Sequence, residues 1–140
     1  MLNFSIRHGI KGGLTLSLAT GTDWRNAENR ITIDELPFVI IERAVREAVP
    51  DYDGHYGVTV MTGPTWRKAF RSLEACLPTL ADGSYFLALP LGPTHDSDLR
   101  QAYELHPEAT SRGAVEMVEG VLRYTRAWCA DDANVLVLGI

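Results

Sequence analysis

The chain has 140 residues, 46% of them hydrophobic and 22% charged, and a net charge of −5. That balance is ordinary for one globular domain spanning 1–140 and excludes a disordered chain, while two cysteines are too few for a disulfide-built scaffold. No run approaches 18 apolar residues and residues 1–13 lack the charged and apolar regions of a secretory leader, so the expectation is a cytoplasmic protein without a membrane span.

The charge is unevenly placed. Residues 1–70 carry eight acids and eight bases, whereas residues 71–140 carry ten acids and five bases. An acidic half repels phosphate, which argues against nucleic acid as a partner and suits a basic protein.

Leu2, Phe4 and Ile6 alternate with polar residues, as do Leu14, Leu16 and Leu18, which predicts two strands. They are expected to form an antiparallel hairpin across His8–Gly13, whose three glycines suit a turn needing positive φ. A short third strand is expected at Arg30–Ile33. Asp34 is the better N-cap for the next helix, because a start at Thr32 puts Pro37 too deep inside it. Leu36, Ile40, Ile41, Ala44, Val45 and Ala48 form its apolar face, and Glu42, Arg43, Arg46 and Glu47 its wet one.

Tyr56, Val58 and Val60 mark another strand, followed by Thr62-Gly63-Pro64-Thr65 and a helix with Trp66, Ala69, Phe70, Leu73, Cys76 and Leu77 on one side. Pro78 and Asp82-Gly83 are expected to end that helix. Tyr85, Leu87, Leu89 and Leu91 alternate as a strand would. The 19 residues from Gly92 to Thr110 are polar, carry prolines and read as a long excursion with one helical turn near Leu99–Leu105. Ser111 is expected to cap a final helix with Ala114, Met117, Val118, Val121, Thr125 and Trp128 inside, and Glu119 spaced to pair with Arg123. The closing run Val135–Ile140 is apolar throughout, the mark of an interior strand.

The fold class is therefore α/β, with α+β as the alternative. The expected architecture is a single mixed sheet of about five to six strands, with some parallel pairing, and three main helices.

The chemistry-bearing residues do not assemble into a motif. His8, His55, His95 and His106 lack the spacings of a zinc site, so no metal or other cofactor is expected, and a metal would need partners assembled by the fold alone. Glycine-rich phosphate loops are absent, although Thr62–Thr65 with Arg67 and Lys68 has the setting of a helix N-terminal anion site. Cys76 and Cys129 read as small core residues, and no nucleophile motif is present.

A non-catalytic protein-binding domain follows, in its most specific form a bacterial immunity or inhibitor protein that blocks a basic toxin. Asp96, Asp98, Glu104 and Glu108 on the 92–110 excursion are the candidate partner-binding residues. One alternative is a small enzyme or small-molecule binder with a pocket near that excursion, using His95, Asp96, Asp98 and His106. Another is an adaptor in a phage-like or secretion assembly.

Overall fold

A computed structural model describes residues 1–9 and 13–140. In chain order they form β1 (Arg7–His8), β2 (Thr15–Thr20), a 3-10 turn (Trp24–Asn26), β3 (Glu28–Asp34), α1 (Glu35–Ala48), a second 3-10 turn (Gly54–Tyr56) and β4 (Val58–Met61). Then come α2 (Gly63–Asp82), α3 (Ser84–Leu87), α4 (His95–Leu105), α5 (Pro107–Ala130) and β5 (Val135–Leu138). The protein is α/β, with one five-stranded sheet in the order β1-β3-β2-β5-β4. Every pairing in it is antiparallel, so the expected parallel pairing is corrected. Alternation of strands and helices sets what the layers contain but not strand direction; here four helices intervene between β4 and β5, and β5 enters between β2 and β4 running against both.

One face of the sheet, through Leu16, Leu18, Ile31, Ile33, Val135 and Val137, packs on the helices in a single apolar core. The interior position expected for the closing strand holds, and all four β5 residues are buried. The faces expected for the main helices also hold: Ile40, Ile41 and Val45 of α1, Trp66 and Leu73 of α2, and Val118, Val121 and Trp128 of α5 are all buried.

The N-terminal hairpin is not formed as expected. The second arm forms as β2, but of residues 2–8 only Arg7–His8 is a strand, and it pairs with β3 rather than β2. Phe4 and Ile6 lie over Gly113 and Gly120 of α5, where any Cβ would come within 2.5 and 2.7 Å of their rings and methyls. The alternation in 2–6 therefore marks a segment laid on a helix. Of the turn, Gly9 and Gly13 have positive φ, and residues 10–12 lie outside the described residues.

The largest corrections fall in residues 78–111. Pro78 does not end α2; the helix runs four residues further and stops at Gly83, whose φ of 84° is the left-handed stop of a helix C-terminus. Residues 84–87 are helical, and the buried residues are Phe86 and Leu89 while Leu87 and Leu91 are exposed, so the period-2 pattern did not mark a strand. The 92–110 excursion is mostly helix: the Thr94 hydroxyl accepts from the Ser97 N–H at 3.2 Å to start α4. Only His106 separates α4 from α5, which starts at Pro107, not Ser111, because proline's fixed φ and missing N–H suit a first helical position. The Thr110 hydroxyl ties the two helices by donating to the Ala102 carbonyl at 3.3 Å.

Asp34 does precede α1, yet its carboxylate makes no capping bond and instead pairs with Arg7. Thr32 is buried; its hydroxyl donates to the Gly9 carbonyl at 2.7 Å and meets the Ser17 hydroxyl at 2.8 Å.

Candidate functional site

Two places concentrate charge in this fold, and they do so in opposite ways. The first is a corner where α1, the 54–56 turn and the start of α4 converge. Glu42, expected on the wet face of α1, is 2% exposed. Its Oε1 accepts from His55 Nδ1 at 2.7 Å and its Oε2 from the Tyr52 hydroxyl at 2.8 Å. Burial first, and the Glu42 charge second, push the Tyr52 hydroxyl far above its ordinary ionisation range, so it remains a donor.

The other imidazole nitrogen, His55 Nε2, lies 3.0 Å from Glu35 Oε2. Glu35 Oε1 in turn lies 3.3 Å from His95 Nε2. A carboxylate only accepts, so satisfying both His55 contacts with protons alone requires the imidazolium. The rings of His55 and His95 stack with centroids 4.7 Å apart and 24° between their planes.

The backbone holds this corner tightly. Gly139 N–H donates to the Gly57 carbonyl at 2.7 Å and Ile140 N–H to the His55 carbonyl at 2.8 Å. A Cβ on Gly139 would lie 2.1 Å from the Gly54 carbonyl oxygen, so only glycine lets the C-terminal segment pass this close to the turn that carries His55. On the α4 side, Arg43 Nη1 donates to Asp96 Oδ2 at 3.3 Å and links α1 to α4 beside His95.

The second place is a groove of about 590 Å³ between the end of α2 and the α4–α5 elbow. Ala81, Tyr103, Pro107 and Val115 give it an apolar lining. Asp82, Glu108, Glu116 and Glu119 line it as well, against one base, Arg112. All four acids are exposed, and among the described residues Glu108, Glu116 and Glu119 have no ion-pair partner. The expected Glu119–Arg123 pair is absent among them; the i,i+4 pair that forms is Arg100–Glu104, at 3.0 Å.

The four candidate partner-binding acids therefore part company. Asp96 is half-buried and held by Arg43, Asp98 is exposed on α4, Glu104 is paired with Arg100, and Glu108 lines the groove. His95 joins the buried corner, while His106 is exposed at the elbow. Glu35 and Glu42 escaped sequence reasoning, and His55 stands there only as a histidine outside any zinc spacing, because their partners lie across a turn or a helix.

At the anion setting of Thr62–Thr65, the protein supplies its own anion: the Asp132 carboxylate sits against Gly63 and accepts from Arg67 Nη1 at 2.7 Å. Cys76 and Cys129 are free and half-buried, and burial pushes the Cys76 thiol up to about 11. Among the described residues no helix is long and apolar enough to cross a membrane. Comparison with known protein families, with curated proteins and with solved structures finds no match in any of the three.

Proposed function

We propose that this chain is a non-catalytic binding domain that receives a basic protein segment in the α2–α4–α5 groove. The supporting observation is the groove's makeup: four exposed acids and one base around an apolar lining. Such a surface suits an amphipathic basic segment, whose aliphatic stems cover Tyr103 and Val115 while its cationic heads meet the rim. Unpaired exposed acids contribute little to folding, but they attract an oppositely charged partner and raise its encounter rate. Inhibition of a basic toxin by a bacterial immunity protein is the most specific form of this reading; the charge of residues 71–140 supports it.

The test compares the tagged protein with its Glu108→Lys, Glu116→Lys, Glu119→Lys variant in pull-downs from its own cells, followed by stopped-flow kinetics on the partner recovered. The expected partner is basic, and the variant should show a lower on-rate and a flatter salt dependence. A partner bound equally by both proteins sinks the groove reading. The inhibitor form further requires that co-expression of this chain relieve the partner's toxicity.

One observation favours a second reading, a small-molecule binder or enzyme near α4: His95 meets His55 and Glu35 at the buried corner. Retention of a small molecule there, with no protein recovered in the pull-down, would support it over the first.

A further inference from the structure

We infer that Glu35, His55 and His95 form a binding site for one divalent transition-metal ion of the zinc type. One donor atom from each residue lies within 4.8 Å of the other two. A four-coordinate ion with arms of about 2.0 to 2.1 Å needs donors roughly 3.4 Å apart. Glu35 meets the two imidazoles through different oxygens, Oε2 at 3.0 Å from His55 and Oε1 at 3.3 Å from His95, so an ion here either takes the carboxylate through both oxygens or draws one imidazole over to share an oxygen. Bringing both imidazoles to one ion takes a rotation of His95, which has room for it because its side chain is 39% exposed at the first position of α4. Imidazole nitrogen with carboxylate oxygen is a donor set that suits zinc and its neighbours in the first transition row.

Two further observations favour a metal over a fortuitous hydrogen-bond cluster. His55 donates through Nδ1 to the buried Glu42 carboxylate, which aims Nε2 at Glu35; a ligating imidazole is held by the same carboxylate–histidine arrangement. Glu35 and Glu42 bring two carboxylates to the corner, and among the described residues no lysine or arginine pairs with either. A divalent ion brings positive charge to those two carboxylates. Three protein donors are fewer than the four of a closed structural zinc site, so the ion would take one exogenous ligand.

The experiment uses the full, tag-free chain after treatment with a chelator. Zinc is titrated by calorimetry and cobalt(II) by visible absorption. One equivalent of each should bind, with cobalt developing the d–d bands of a low-coordinate nitrogen and oxygen site. Glu42→Gln should weaken binding by about 10- to 100-fold, because Glu42 positions His55 without touching the ion. His95→Ala should weaken it more, and its effect is readable because the Glu42–His55–Glu35 chain stays intact, as circular dichroism of the variant will show. His106→Ala, at the exposed elbow, should bind like the native chain. Absence of saturable binding in the native chain overturns the proposal, as does His95→Ala binding zinc as tightly as the native chain. The result is independent of the groove and its partner.

Discussion

At the start of α1 the protein turns charge inward, and along α5 it turns charge outward. Glu42 and His55 lie below 10% side-chain exposure and are held by 2.7 and 3.0 Å contacts, whereas Glu116 and Glu119 stand in water with no ion pair among the described residues. The same residue types thus do different physical work. In the corner, desolvation makes every partner obligatory, because an unmatched buried charge costs several kcal/mol. On the groove, solvent screens each acid, so its effect on folding is small and what remains is a field felt by an approaching partner.

That contrast can be broken most directly by stability measurements. Trp128→Ala sets the scale: Trp128 is 5% exposed and packs near Trp66, and its loss should cost about 3 to 5 kcal/mol in urea denaturation. Glu42→Ala should cost a similar amount, about 3 to 5 kcal/mol, because it strands the His55 Nδ1–H and the Tyr52 hydroxyl in the interior. A loss below about 1 kcal/mol for Glu42→Ala, beside a full loss for Trp128→Ala, would show the corner to be solvated and the contrast false.

A smaller effect separates two neighbours ahead of α1. Thr32→Ala removes a buried hydroxyl with two partners and should cost about 1 to 3 kcal/mol, while Asp34→Ala loses only a partly exposed pair with Arg7 and should cost under about 1 kcal/mol. This reverses the ranking that the capping argument alone suggests, and thermal melts of the two variants decide it.

Smaller again, Glu116→Lys and Glu119→Lys should each leave stability within about 0.5 kcal/mol of the native chain, which is what makes them clean probes of binding. A large loss in either would mean that the groove acids are structural.

A further effect shows only at high pH. Burial raises the Cys76 thiol from 9.0 to about 11, so the thiol ionises more readily in the unfolded chain than in the folded one. Its contribution is intact below pH 9.0 and is lost as pH rises towards about 11. Tyr52 and Tyr85, raised still further by burial, extend the loss beyond pH 10.0. Cys76→Ala should flatten the first part of that decline in urea unfolding, and an unchanged slope would show the thiol to be solvated in the native state.

How much of this was legible in the chain differs from element to element. The apolar faces of α1, α2 and α5 were readable because a 3.6-residue period holds over long stretches, and the interior place of β5 because four successive apolar residues need burial on both sides. Residues 85–91 misled because Tyr85, Leu87, Leu89 and Leu91 alternate while the buried residues, Phe86 and Leu89, are three apart. The helix at 95–105 was hidden by its polarity, since its only fully buried residue is Leu99. Thr94, with Asp96 and Asp98 in the first turn, was the signal available there.

By itself the sequence determined the α/β class, the three main helices and the acidic excess of residues 71–140, because these follow from periodicity and counting along one chain. Tertiary structure alone decided the antiparallel order of the sheet, the burial of Glu42 and the meeting of Glu35, His55 and His95. Those residues are 20 and 40 positions apart, and no local pattern encodes them. Their contact exists only because α1, the turn clamped by Gly139 and the first turn of α4 reach the same corner, where a charge without a partner could not be buried.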